Sequence, residues 1–415
     1  MRSWMDVALL GLTQIIGYGT LYYSFSILAP SMARDLGWSG EWIYAALSAA
    51  LLTGGLAAPL AGRWIDRFGA GRIMAIGSVA AALALAACAL APSGLAFVPA
   101  LLAIEIASTL VQYSAAFPLL VQRHPRTAQR SIVYLTLIAG FASTIFWPLT
   151  TWLHGFLTWQ QVYLVFALLH VVLCFPIHMW MSRRTTIRQA EAADVEATHP
   201  HSPLQGTLSP EVRGKGFLFM AVAFALQSFI SSAVLVHMLP MLSALGLGLA
   251  GVAVGALFGP SQVASRFINM IFGAGLSQLS LAIISAGLLP VALILLLATA
   301  PSFAGAILFA VLFGMGNGLY SIVGGTLPLV LFGAQGYGAR QGQITSVRLI
   351  VGSVAPFAFA LMMQHAEATW TLLSTGILGA GAVLALLAIR RLAHHDAKTG
   401  ATNKPIALSE HRTEA

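Results

Sequence analysis

Charge in the first hundred residues is concentrated in one segment, Gly62-Arg63-Trp64-Ile65-Asp66-Arg67-Phe68-Gly69-Ala70-Gly71-Arg72. The apolar runs 42–60 and 73–91 flank it. At about 1.5 Å per residue, each run is long enough to cross roughly 30 Å of hydrocarbon as a helix. The charged side chains between them require water, so the segment is predicted to lie at a membrane surface. Its excess of arginine indicates the cytoplasmic side.

The composition indicates a membrane protein and excludes a soluble fold. Charged residues make up 8% of the 415 residues and hydrophobic residues 58%, whereas a soluble domain has roughly 25% and 45–50%. Of the 21 lysines and arginines, Arg34 is predicted outside, Arg266 and Arg348 lie within apolar runs, and the other 18 lie in predicted cytoplasmic segments. This asymmetry follows the positive-inside rule and argues against a nucleic-acid-binding surface.

Hydropathy predicts twelve membrane-spanning helices and no cleavable signal peptide. They are expected at 5–30, 41–61, 72–91, 94–121, 128–150, 159–181, 216–242, 250–273, 278–299, 303–332, 341–364 and 370–391. The corresponding domains are a first six-helix bundle at 1–182, a cytoplasmic linker at 183–215, a second six-helix bundle at 216–393 and a disordered cytoplasmic tail at 394–415. Phe68-Gly69-Ala70-Gly71 recurs as Phe272-Gly273-Ala274-Gly275, which supports a duplicated chain with a site between its halves.

The charged segment resembles the loop between the second and third helices of the major facilitator superfamily. The pattern Gly-x-x-x-Asp-Arg-x-Gly-x-(Arg)-Arg is matched by Gly62, Asp66, Arg67, Gly69 and Arg72, and only the optional arginine is replaced, by Gly71. The resemblance implies an all-α fold of two six-helix bundles around a central cavity, and a secondary transporter that opens alternately to each side. It further implies that the matching residues form a latch that stabilises one of these states.

One acidic residue, Glu105, lies deep inside a predicted span. A buried ionisable group in a membrane helix is costly, and it usually faces protein or a water-filled cavity. Thr109 and Gln112 follow at helical spacing and extend a polar stripe. A carboxyl in such a place can bind and release a proton, so Glu105 is the predicted proton-coupling residue. A structural carboxyl hydrogen-bonded to a neighbouring helix is the alternative.

Two arginines interrupt the later apolar runs, Arg266 in span eight and Arg348 in span eleven. A guanidinium keeps its charge, so each needs an anion or backbone carbonyls. Two guanidiniums facing one cavity would favour a carboxylate, phosphate or oxyanion ligand. The arrangement resembles the oxalate/formate antiporter and monocarboxylate transporter branch of the superfamily, which implies that both arginines bind the substrate carboxylate. For Arg266, contact with cytoplasmic headgroups is the alternative.

Four uncharged polar side chains are further predicted substrate ligands, since amides and phenols can hydrogen-bond a polar solute. They are Gln14, Tyr18, Gln227 and Asn317, in the spans that line the cavity of this superfamily. Packing between helices is the structural alternative for such residues.

The sequence favours a secondary transporter of a small organic anion, coupled to protons or working by exchange. No Gly-x-x-x-x-Gly-Lys-(Ser/Thr) loop is present, so ATP is not the direct energy source. Neither a nucleophile–base pair nor a metal cluster indicates an enzyme, and no cofactor or metal is expected. A monomer in the plasma (inner) membrane with both termini in the cytoplasm is predicted.

The alternative transport function is efflux of a drug or toxicant. Drug antiporters of the superfamily often carry Gly-x-x-x-Gly-Pro in span five. Here only Gly140 and Pro148 are present, at a different spacing, which counts modestly against efflux.

Overall fold

The computed structural model describes residues 2–183, 205–248 and 250–402, and these residues form twelve long helical segments. The segments are α1 2–36, α2 Gly40–Phe68, α3 Ala70–Ala89, α4 Gly94–Arg123, α5 Pro125–His154, α6 Trp159–Arg183, α7 Arg213–Ala244, α8 250–275, α9 Gln278–Thr299, α10 Phe303–Phe332, α11 Tyr337–His365 and α12 Ala368–Thr402. Ten of them have the length and hydropathy of a membrane span. The other two, α1 and α8, are interrupted helices, α1 by a π-helical turn and α8 after Ala256. The predicted all-α membrane architecture is confirmed.

Local sequence signals account for the helix ends. Thr158 and Gln161 form a capping box that begins α6, with the Gln161 backbone N–H donating to the Thr158 hydroxyl over 3.3 Å. Ser277 accepts from a backbone N–H in the first turn of α9. Gly69 has a φ of +87° between α2 and α3, a conformation that favours glycine. These ends matter because lipid offers backbone groups no hydrogen-bond partner within the membrane.

The described residues of each half form two apolar cores, one towards each end of the helices. We call the end that carries Arg63, Arg67, Arg123 and Arg126 the basic face. Near the basic face the core of the first half includes Leu329 and Tyr337 of the second half. Towards the opposite end, the cores of the two halves share no residue within the described chain. The halves therefore meet at the basic face and separate away from it.

Close packing of α2 against α11 closes the basic face. A Cβ atom at Gly62 would overlap the carbonyl oxygen of Gly338, and one at Gly342 would overlap the carbonyl oxygen of Ala58. Only glycine allows the two helix backbones to approach this closely.

The predicted tail starts as helix. α12 continues to Thr402, beyond the predicted bundle end at residue 393, and Asp396 in this extension is fixed to the chain before α7. Its carboxylate accepts hydrogen bonds from the backbone N–H and the hydroxyl of Ser209, each over 2.7 Å. Residues 184–204 of the predicted linker and 403–415 of the predicted tail lie outside the described residues.

Candidate functional site

A cavity of about 250 Å³ lies between the halves, above the closed basic face. Its lining comes from α1, α2 and α4 of the first half and from α7 and α11 of the second. The lining residues are Tyr18, Tyr22, Tyr23, Leu51, Glu105, Ser108, Thr109, Gln112, Tyr113, Ser114, Ser228, Ser232, Thr345, Arg348, Leu349 and Gly352. Among the described residues, the cavity lining thus contains one acidic and one basic side chain, which come from opposite halves.

Four tyrosines form an aromatic wall on the first half: Tyr18, Tyr22, Tyr23 and Tyr113. The rings of Tyr18 and Tyr113 are 4.8 Å apart, and those of Tyr22 and Tyr23 are 5.3 Å apart. Three of the four lie in or beside the π-helical turn Gly19–Tyr23 of α1. Such a turn adds a residue to the helical repeat, which changes the direction of the side chains that follow it.

The cavity wall also contains a break in α4. The helix is interrupted at Gln112, whose ψ is −161°. The Gln14 side-chain amide donates to the carbonyl oxygen of Val111 over 2.7 Å, and the Ser114 hydroxyl donates to that of Thr109, also over 2.7 Å. Side chains therefore satisfy carbonyl groups at the break, which supports unwound backbone at membrane depth.

Glu105 lines the cavity from α4 and is only 4% exposed. Behind it, a Cβ atom at Gly54 of α2 would lie 3.1 Å from the Glu105 carbonyl oxygen. No ion pair or hydrogen bond reaches the Glu105 carboxylate from the described residues. A carboxyl buried in this way can take up a proton or face a cationic group.

Arg348 lines the opposite wall from α11. Its guanidinium carbon lies 4.6 Å from the centre of the Tyr320 ring, a cation–π arrangement. The Ser228 hydroxyl donates to the Arg348 carbonyl oxygen over 2.8 Å and fastens this turn of α11 to α7. Arg348 is therefore held in place by neutral groups, and its donors can bind an anion in the cavity.

Arg266 lies outside the cavity lining and connects the two halves instead. It is 7% exposed, and its Nη1 donates to the carbonyl oxygen of Thr136 on α5 over 3.1 Å. Its Nε donates to the carbonyl oxygen of Gly318, and its Nη2 to the side chain of Gln262, each over 3.3 Å. The two arginines do not share the cavity in this structure, and Arg266 is buried among neutral acceptors rather than placed at headgroups.

Within the predicted latch, Asp66 makes a side-chain contact between the halves, beside the backbone contact at Gly62. Its two carboxylate oxygens accept from the backbone N–H groups of Gly338 and Ala339 over 2.9 and 2.7 Å, at the start of α11. A carboxylate is favourable there because a helix N-terminus carries partial positive charge. Arg67 lies over the Phe68 ring at 5.2 Å, and Arg72 lines a groove on the outer surface of the first half.

The family comparison agrees with this architecture. The sequence matches the profile of the Major Facilitator Superfamily over residues 10–360. The chain belongs to this superfamily. The predicted family is thus confirmed, and it makes the protein a multi-pass membrane transporter rather than an enzyme. Membership of the oxalate/formate branch stays a hypothesis.

Two solved structures of superfamily transporters share the fold. One is the human organic anion transporter MFSD10 (TETRAN), with a TM-score of 0.70 and 15% identity over 93% of this chain and 99% of that one. The other is the proton:xylose symporter XylE bound to 6-bromo-6-deoxy-D-glucose, with a TM-score of 0.68 and 14% identity over 92% and 94%. At such identities the likeness shows the fold alone. No curated protein matches the sequence.

In this major facilitator superfamily protein, the predicted polar ligands occupy different places. Tyr18 lines the cavity, whereas Gln14, Gln227 and Asn317 are not among its lining residues. Gln227 is 1% exposed, and no described residue hydrogen-bonds its side-chain amide. The Asn317 amide donates within its own helix, to the carbonyl oxygen of Phe313 over 3.1 Å.

Two further hydroxyl side chains, Ser232 and Thr345, line the same cavity as Arg348. They lie on different helices and far apart in the sequence, so no local signal predicts that they meet. Their hydroxyl groups can hydrogen-bond a polar solute next to the guanidinium.

The contact of Arg266 with α5 yields a first prediction. A Cβ atom at Gly140 would overlap Nη1 of Arg266, so Gly140→Ala displaces the guanidinium from the carbonyl of Thr136. We expect a loss of about 1–3 kcal/mol of stability, since a buried charged donor loses a partner. The measurement is thermal unfolding of the detergent-purified protein.

Gly259→Ala is the matched control, because no described residue lies within 4 Å of a Cβ atom at that position of α8. We expect it to stay within about 0.5 kcal/mol of wild type. Equal unfolding temperatures for the two alanine variants would contradict the role assigned to Arg266.

Proposed function

We propose that the protein carries small monocarboxylates together with protons by alternating access. The protein lies in the plasma (inner) membrane with its basic face on the cytoplasmic side, and it works as a monomer. In this proposal the structure is the form closed on the cytoplasmic side, with the cavity accessible from outside.

The proposal rests on one observation, the presence of Glu105 and Arg348 in one cavity with one residue on each half. Arg348 can bind a carboxylate through two parallel N–H donors. Glu105 would repel the same carboxylate when ionised and tolerate it when protonated. Binding of the anion and of the proton would therefore favour each other, which is the requirement for their transport together.

The size of the cavity and its tyrosine wall restrict the substrate. About 250 Å³ corresponds to roughly eight water molecules at about 30 Å³ each. A single arginine supplies one positive charge, which favours a monoanion over a dianion. The Tyr18 and Tyr113 rings offer apolar faces to the remainder of the molecule, so a short hydrocarbon or aromatic group beside the carboxylate is favoured.

Efflux of a cationic amphiphile is the second candidate function. It is supported by the tyrosine wall together with Glu105, since aromatic faces and a carboxylate both attract cations. Arg348 in the same cavity counts against it, because like charges repel.

A ligand screen tests the proposal. The purified protein is heated with monocarboxylates, dicarboxylates or cationic amphiphiles at pH 5.5 and at pH 7.5. A ligand at one hundred times its Kd stabilises the folded protein by about 2.7 kcal/mol. We expect monocarboxylates to stabilise the protein, and to do so more strongly at the lower pH, where the protonated form of Glu105 is more populated.

Glu105→Gln serves as the matched variant, because glutamine is a neutral analogue of the protonated carboxyl. We expect it to bind monocarboxylates with an affinity independent of pH. Stabilisation by cations alone, lost in Glu105→Gln, would overturn the proposal in favour of efflux.

A further inference from the structure

A second concave site lies on the outer surface of the first half, between α3 and α6. It has a volume of about 950 Å³, and we call it the lateral groove. Its lining residues are Arg72, Ala75, Ile76, Val79, Ala80, Leu83, Phe175, Met179, Ser182 and Arg183. The apolar lining residues follow Arg72 on α3 and precede Arg183 on α6. Because the two helices run in opposite directions, the groove has a charged end at the basic face and is apolar over the rest of its length.

The charged end is built by a close contact between the two helices. A Cβ atom at Gly71 would lie 2.7 Å from the Cα atom of Ser182. Arg72 and Arg183 are the next residues on their helices, and both are exposed. No carboxylate lines the groove or pairs with either arginine in the described chain. Two guanidiniums that line the same end of a groove, without a carboxylate partner among the described residues, favour an anion that both can bind.

The apolar part matches the depth of one lipid leaflet. From Arg72 to Leu83 the groove follows α3 over eleven residue steps, or roughly 16 Å at about 1.5 Å per step. One leaflet contributes about half of the roughly 30 Å of hydrocarbon. The small side chains of Ala75 and Ala80 give the groove its depth, while Ile76 and Leu83 are 60% and 66% exposed and face lipid.

We propose that the lateral groove binds one phospholipid with an acidic headgroup. Its phosphate lies between Arg72 and Arg183, and an acyl chain lies along α3 towards Leu83. Basic pockets between membrane helices favour acidic headgroups. Free phosphate would use the arginines alone, whereas a lipid uses the arginines and the apolar lining together. This site is separate from the central cavity, and it does not depend on the identity of the transported substrate.

Native mass spectrometry of the full chain in detergent, titrated with phosphatidylglycerol or phosphatidylcholine, tests the site. We expect phosphatidylglycerol to bind more tightly. Each of Arg72→Gln and Arg183→Gln weakens its binding by about five-fold, the effect of one basic residue near an acidic headgroup. Ala80→Phe fills the apolar part and weakens the binding of phosphatidylglycerol without a change of charge.

Arg126→Gln is the control, since Arg126 is an exposed arginine on the basic face outside the groove. We expect it to bind phosphatidylglycerol as wild type does. Three outcomes would each overturn the proposal. They are equal binding of the two lipids, an equal loss of phosphatidylglycerol affinity in Arg72→Gln and Arg126→Gln, and unchanged phosphatidylglycerol binding in Ala80→Phe. A dimer that dissociates in Ala80→Phe would do the same, because the groove would then be an interface between copies.

Discussion

Replacement of Arg348 by glutamine is expected to weaken monocarboxylate binding about 100-fold, since removal of one partner of a hydrogen-bonded charge pair costs roughly 3 kcal/mol. Among the described residues that line the cavity, Arg348 is the one with a basic side chain. Glutamine keeps hydrogen-bond donors but has neither the charge nor the paired N–H geometry. The measurements are ligand titration by thermal shift and uptake into vesicles made with the purified protein.

Two variants separate substrate binding from general damage. Arg348→Lys keeps the charge as a single compact donor group, and we expect an intermediate loss of about ten-fold. Arg390→Gln removes an exposed arginine of α12 that is far in sequence from the cavity lining, and this variant should bind as wild type does. All variants should elute as wild type in gel filtration. Unchanged monocarboxylate binding in Arg348→Gln would refute the assignment of the anion site.

The fold and the charged cavity residues Glu105 and Arg348 could be predicted from the sequence, because charged residues are rare in membrane-spanning helices. Glu105 and Arg348 interrupt long apolar runs, and such positions are costly unless they face a cavity. These inferences require only local composition and the thickness of a membrane.

The places of Gln14 and Arg266 could not be predicted, because their partners are backbone carbonyls. The interruption of α4 at Gln112 has no glycine or proline at the break, so nothing in the local sequence shows that Gln14 will bind the carbonyl of Val111. Arg266 meets the carbonyl of Thr136 across the two halves. Residue type predicts that a guanidinium needs acceptors, but the choice between substrate and backbone is made by tertiary packing.

Replacement of Asp66 by asparagine is expected to shift the protein towards the form open at the basic face. The change removes a charge that binds two backbone N–H groups at the start of α11. Asp66 is exposed, so we expect the free energy that favours the form closed at the basic face to fall by about 1–2 kcal/mol, less than for a buried ion pair. This change corresponds to a roughly 5- to 30-fold shift in the ratio of the closed and open forms. Transport of substrate should slow, while membrane insertion is retained.

Distances between spin labels can measure this shift. Labels at the exposed positions Ser93→Cys and Thr369→Cys report on the end opposite the basic face, with the buried Cys88 and Cys174 replaced by serine. In Asp66→Asn we expect this distance to shorten, because the halves close at one end as they separate at the other. Arg67→Gln is the control: it changes a neighbouring charge whose described contact is with Phe68 on its own helix. Identical distance distributions in Asp66→Asn and Arg67→Gln would show that the carboxylate at the start of α11 does not hold the basic face closed.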